Sequence, residues 1–233
     1  IENDALVFLG IAYLFIGGLD LSHALSYKGM GILGPERGAN PATQLWIVAR
    51  YMESISLFLY PFLFNKRINF TRVFWIYSII SIIIYLSIIF WGIFPVCFVD
   101  GLGLTTFKKS SEYIICLLLA GALFFLHQKK NLLDSNIYKL MVVSIGMTIM
   151  GELAFTFYIN VYGMSNMIGH FAKIISFYMI YKAIVYIGLK KPNALMYKEL
   201  SDKEQRYRQM FETNQAVKLI INPKNGSIVE ANN

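Results

Sequence analysis

Six stretches of this chain are long and apolar enough to suit a bilayer, and this constrains its fold more than any other feature. A membrane helix needs about 20 mainly apolar residues to cross ~30 Å of hydrocarbon. In lipid the backbone must satisfy its own hydrogen bonds, which favours helices for such segments. The stretches run over roughly 5–25, 43–64, 71–94, 112–127, 138–160 and 166–189. The third, around WIYSIISIIIYLSIIFWGIF, is almost free of polar groups and is expected to face lipid. The fourth is short and is expected to begin at or before Glu112. Hydrophobic residues make up 56% of the 233 and charged residues 15%. A soluble domain is nearer a quarter charged, so composition excludes an ordinary soluble fold, and the apolar content excludes disorder. Two cysteines are too few for a disulfide framework. The first stretch has no basic n-region before it and no small-residue cleavage site after it, so it is not read as a signal peptide. Position 1 is Ile, which leaves room for helices upstream.

Lys and Arg in short loops set the orientation. Lys66, Arg67, Arg72, Lys129, Lys130, Lys139, Lys190 and Lys191 fall on one side; Lys28, Arg37, Lys108 and Lys109 fall on the other. The first side is read as cytoplasmic, and with it the C-terminus. Charge density rises near Lys190: 13 basic and 9 acidic residues lie in the first 189, against 8 and 5 in the last 44. After Pro192 the apolar spacing of Leu195, Leu200, Tyr207, Met210 and Phe211 predicts a helix. AVKLII and SIVEAN then predict two strands, with Asn225-Gly226 at the turn. The expected organisation is a transmembrane domain over 1–189, a cytoplasmic linker helix over 190–213, and the start of a further domain over 214–233. Two strands do not make a stable isolated sheet, so that domain is read as truncated.

Ionisable residues in a span are costly and tend to face the bundle interior. Asp20, His23, Arg50, Glu53, Glu152, His170 and Lys173 lie within the proposed spans, and Glu112 opens the fourth. All fall in the extracytoplasmic half. Asp20/His23, Arg50/Glu53 and His170/Lys173 are i,i+3 pairs, and Thr148, Glu152 and Thr156 form an i,i+4 stripe, so each set shares a helix face. These eight residues form the candidate ligand-binding set, a pocket opening outward. The structural alternative is that Arg50–Glu53 and Glu152–Lys173 neutralise each other and fix packing. His23 and His170, with Glu53 and Glu152, also form a candidate metal set for Zn or Fe, and two opposed histidines can hold a haem. No HxxxH or CxxC motif sharpens either idea. His127 is placed at the inner interface.

The outer loops SYKGMGILGPERGANPAT and FPVCFVDGLGLTTFKKSSE mix Gly, Pro and apolar residues. They are read either as a lid over the pocket or as plain connectors. Cys97 lies where it could sense oxidants, but an inert buried thiol is the default reading. Trp46, Trp75, Trp91, Tyr178, Tyr181 and Tyr186 are assigned mostly to an interfacial belt. No P-loop, dinucleotide fingerprint, serine elbow or kinase motif is present, and the basic residues are loop anchors rather than a nucleic-acid face.

HALSYKGM (23–30), NPATQLWIVARYMES (40–54), FPVCFVDGLGLTTFKKSSEYI (94–114) and ELAFTFYINVYGMSNMIGHFAKIISFYMIYKAIV (152–185) resemble the third type of membrane-associated sensor domain, the MASE class. ELSDKEQRYRQMFETNQAVKLIINPKNGSIVEANN (199–233) resembles the entry helix and first hairpin of a PAS domain. The resemblance implies an all-α bundle of six or more transmembrane helices, followed by a linker helix and a truncated α+β PAS domain. It implies the input module of a bacterial or archaeal sensor histidine kinase or diguanylate cyclase, in the inner membrane, with no catalytic module in this chain. The partners implied are the bilayer, a small ligand of unknown identity, and a second copy through cytoplasmic signalling domains. It carries no ligand or binding residue with it. A transporter or channel is the second reading, and an intramembrane metal hydrolase the third.

Overall fold

Among the described residues the chain forms six long helices: α1 (Glu2–Leu25), α2 (Asn40–Leu59), α3 (Phe70–Ile89), α4 (Thr106–Gln128), α5 (Ser135–Thr156) and α6 (Met164–Val185). The computed structural model describes residues 2–27, 30, 38–156, 164–185, 200–203, 205, 206, 208, 209, 211, 219–223 and 226–231. Five of these helices, all but α2, are long and apolar enough to cross a membrane. α2 carries Gln44, Arg50 and Glu53 and does not reach that apolarity.

The polar helix is the central one. Thirteen of the 20 residues of α2 are buried, whereas Ile88 is the one buried residue of α3. On α3, Phe74, Trp75, Ile76, Ile79, Ile80, Ile82 and Ile83 are exposed, as expected of a lipid-facing helix. Lipid is as apolar as the core, so helices in a membrane are held by close packing and interhelical hydrogen bonds rather than by expulsion of water. Ala12, Ile16 and Leu19 of α1 pack on Leu45, Val48, Ala49 and Met52 of α2. The alanines let these backbones approach. Gly169 of α6 does the same against α5: a Cβ there would lie 2.5 Å from the Phe155 ring.

Several boundaries differ from the sequence reading. The third span was expected to reach 94, but α3 ends at Ile89 and Gly92 turns the chain at φ 62°. The fourth span begins at Thr106, before Glu112, as its short apolar run allowed. Thr105 caps α4, its hydroxyl accepting from the Lys108 amide at 3.3 Å, so Glu112 lies in the second turn. Residues 157–160 and 186–189, assigned to spans five and six, lie outside the described residues.

The connection between α3 and α4 has a structure that periodicity did not reveal. β1 (Phe98–Val99) pairs with β2 (Gly103–Leu104) in a small antiparallel hairpin. It is tied to the start of α2. The Asn40 side-chain oxygen accepts from the amides of Cys97 (2.8 Å) and Phe98 (3.0 Å), and the Gln44 amide donates to the carbonyls of Phe94 and Pro95. Gly38, at φ 63°, sits where a Cβ would lie 2.6 Å from Asp100 Oδ2. Of the first outer loop, 28, 29 and 31–37 lie outside the described residues.

Cys97 is fully buried beside this hairpin, and burial pushes its thiol up to about 11. The thiolate is the reactive form, which favours the inert reading of Cys97 over oxidant sensing. In the folded protein, Cys97 is expected to react with a maleimide more than ~10-fold slower than an exposed thiol at neutral pH. Peptide mass spectrometry before and after denaturation measures this; equal rates would show an accessible thiolate. Both cysteines are free thiols.

Residues 1–184 form one compact unit and 185–233 another. In the second, residues 200–203, 205, 206, 208, 209 and 211 are helical, within the expected linker helix. β3 (Leu219–Ile221) pairs antiparallel with β4 (Ile228–Ala231). The hairpin closes through Gly226, at φ 69°, whose amide donates to the Asn222 carbonyl at 2.9 Å. Asn225, predicted at the turn, lies outside the described residues.

Candidate functional site

Three helices bring one polar face each to a common point. On α1, Tyr13, Asp20 and His23 share a face; on α2, Trp46, Arg50 and Glu53; on α6, His170, Lys173 and Phe177. Their three- and four-residue spacings place each set in one stripe.

Arg50 is the hub and is 1% exposed. Its Nη2 donates to both Asp20 oxygens at 2.8 Å, and its Nη1 donates to Glu53 Oε2. The Tyr13 hydroxyl donates to the other Glu53 oxygen at 3.0 Å. Lys173 Nζ donates to Asp20 Oδ1 at 2.7 Å. The result is a continuous chain, Tyr13–Glu53–Arg50–Asp20–Lys173, with alternating charge across α2, α1 and α6. Its Asp20–Lys173 end is the accessible one, at 17% and 16% exposure.

Trp46 lies beneath this chain. Lys173 Nζ is 3.9 Å from its ring centroid and Arg50 Cζ 4.9 Å. Both histidines pack on the same indole, with centroids at 5.2 Å for His23 and 5.6 Å for His170. Phe155 closes a further side at 4.7 Å from Trp46 and 5.1 Å from His170. His23 Nδ1 lies 2.7 Å from the Ala42 carbonyl, which can only accept. Nδ1 therefore carries a proton and donates it to this carbonyl.

Two more polar contacts tie the remaining helices. On α4, Lys108 pairs with Glu112, and the Thr156 hydroxyl of α5 donates to Glu112 Oε2 at 2.8 Å. Between α5 and α6, Ser176 Oγ meets Ser144 Oγ at 2.8 Å and Thr148 Oγ1 at 2.7 Å. Glu152 is 2% exposed, and its Oε2 has no hydrogen-bond partner among the described residues.

Asp20, His23, Arg50, Glu53, His170 and Lys173 are thus brought together around Trp46, while Glu112 and Glu152 belong to the α4–α5 side. The Arg50–Glu53 pair forms as the sequence indicated. The Glu152–Lys173 pair does not, because Asp20 takes Lys173. Among the described residues no group of three or more His, Cys, Asp and Glu side chains is arranged to hold a metal ion. The arrangement suits a charge clamp whose exposed end can re-pair with a polar ligand or with a displaced helix.

A family model described as a membrane-associated sensor domain, MASE3, matches residues 1–192. The chain belongs to the MASE3 family. No curated protein matches it, and no solved structure does.

Sequence reasoning missed several parts of this MASE3 domain. Trp46, assigned to the interfacial belt, is 6% exposed and carries the site. Its neighbour Arg50, one turn away, was the available signal. Trp75, Trp91, Tyr178 and Tyr181 are exposed as a belt requires, and Tyr186 lies outside the described residues. Lys108 was counted as an outer-loop charge, yet it is 2% exposed inside α4. Glu112 four residues later is the partner that permits its burial. Tyr13 and Ser176 gave no sequence signal, since a single hydroxyl in a span is common. His127 meets the Tyr138 hydroxyl at 2.8 Å at the far end of α4.

Proposed function

We propose that this MASE3 domain is the sensory input module of a signal-transduction protein, with all six helices spanning an inner membrane and the C-terminus cytoplasmic. A ligand or membrane-borne stimulus acts on the Asp20–Lys173 end of the charge chain. The same chain ties α6 to α1 and α2, so a change in pairing shifts the last helix. That shift passes through 186–213 to a PAS domain beginning near 214 and then to a histidine kinase or diguanylate cyclase, which dimerises. The supporting observation is that α6, the last of the six long helices, is held in the site by the Lys173–Asp20 ion pair. A stimulus moves such an equilibrium only by binding one packing better than the other.

The test uses the full-length protein in native membranes. Lys173→Met is expected to change basal output, phosphorylation or cyclic dinucleotide synthesis, by about 5-fold or more, the range of ordinary coupling energies. Unchanged output in folded Lys173→Met would sink the reading. So would a solute flux in reconstituted vesicles that Lys173→Met abolishes, which would favour a transporter.

Orientation has its own check. A side chain at Gly38 would be strained at φ 63° and would displace Asp100, so the outer probe belongs at Leu102, 87% exposed at the hairpin tip. A cysteine at Leu102 is expected to react with an impermeant thiol reagent on intact cells, and one at Asn131, beside Lys129 and Lys130, to resist it. The reverse pattern would invert the direction of signalling.

A further inference from the structure

The charges inside the bundle do not balance. Among the described residues, three cations (Arg50, Lys108 and Lys173) face four carboxylates, those of Asp20, Glu53, Glu112 and Glu152. Each cation is already paired: Arg50 with Asp20 and Glu53, Lys173 with Asp20, and Lys108 with Glu112. Glu152 is left over. It is almost fully buried, and its Oε2 has no hydrogen-bond partner among the described residues.

Its surroundings decide what can neutralise it. From α4 it is within electrostatic reach of Lys108 and Cys116. Glu112 lies close by through Lys108 and Thr156. From α2 it is within electrostatic reach of Arg50 and Glu53, and from α6 of Lys173. α1 enters through Asp20, which sits on Arg50; on its own helix the neighbouring polar groups are Thr148 and Thr156. A lone carboxylate buried in this way neutralises rather than staying ionised. A bound metal or alkali cation would add positive charge beside Lys108 and Arg50, and no cage of three or more ligands surrounds the place among the described residues. A proton adds no bulk and needs no cage.

We propose that Glu152 is a proton-binding site within the bundle, occupied in this packing as a neutral carboxylic acid. When the O–H bond breaks, the proton leaves to water and the carboxylate competes with Glu112 for Lys108. One cation then serves two carboxylates, one on α4 and one on α5, so proton release moves the contact between these helices. Its occupancy can be read without any output domain.

Infrared spectroscopy of the full chain in lipid vesicles at neutral pH tests this. The wild type is expected to show the C=O stretch of a protonated carboxylic acid, shifted in D2O and lost in Glu152→Gln. Glu112→Gln frees Lys108 for Glu152 and is expected to remove the same band. Lys108→Met takes from Glu112 its ion-pair partner, which adds a second neutral carboxyl, and is expected to raise the band about twofold. If Glu152→Gln does not fold, the comparison of Lys108→Met with wild type decides alone. A band unchanged by Glu152→Gln, a wild-type band that is absent, or one that appears only after sodium and potassium are removed would each overturn the proposal, the last by showing that a cation takes the place of the proton.

Discussion

Arg50→Met is expected to destabilise the bundle by about 3–5 kcal/mol, the cost of breaking a buried ion pair by removing one partner. Three contacts are lost at once, the two bonds to Asp20 and the one to Glu53. Asp20 keeps Lys173, so its charge remains compensated. Glu53 is left with the Tyr13 hydroxyl alone, while fully buried. Glu53→Gln should cost less, because Arg50 keeps Asp20 and a glutamine oxygen can still accept from Tyr13. Lys66→Gln, at an exposed turn, should stay within about 0.5 kcal/mol of wild type. Thermal or SDS unfolding in detergent measures all three. A stable Arg50→Met would mean that the charge chain contributes nothing to holding α1, α2 and α6 together.

Gly169→Val should have the second largest effect, and it should reach the site indirectly. A Cβ at Gly169 would lie 2.5 Å from the Phe155 ring, so the ring or α6 must move. Overpacking of this kind costs about 1–3 kcal/mol. Phe155 is also the aromatic wall against Trp46 and His170. Displacing it disturbs the indole on which Lys173 and Arg50 rest. The expected result is a lowered melting temperature together with altered Trp fluorescence. Phe155→Leu in the same chain should recover part of the stability, since it makes room for the added methyls. Absence of recovery would locate the clash elsewhere.

The sequence by itself determined the membrane character, the positions of the long helices, and which residues are chemically unusual. Apolar runs of span length are a local property, and an ionisable residue inside one stands out without any knowledge of its neighbours. The i,i+3 and i,i+4 spacings of Asp20, Arg50, Glu53, His170 and Lys173 were enough to place them on shared faces, and the family resemblance lay in the same blocks. The lipid-facing nature of α3 was legible for the same reason, because it offers no polar face to bury.

Only the tertiary structure decided who pairs with whom. Each carboxylate had several cations within plausible reach, and rotation and stagger of the helices chose among them. Asp20 took both Arg50 and Lys173, and Glu152 Oε2 has no hydrogen-bond partner among the described residues. Lys108 could not be read as buried, because its burial depends on where α4 begins, and Thr105 sets that start six residues before Glu112. Trp46 looked like an interfacial aromatic because amphipathic rings suit both a membrane boundary and a cation-lined interior. The β1–β2 hairpin followed from side chains of α2, Asn40 and Gln44, that hold the loop backbone from about 50 residues away. Such long-range hydrogen bonds satisfy backbone groups that a local pattern leaves unassigned, so they come into view only once the helices are packed.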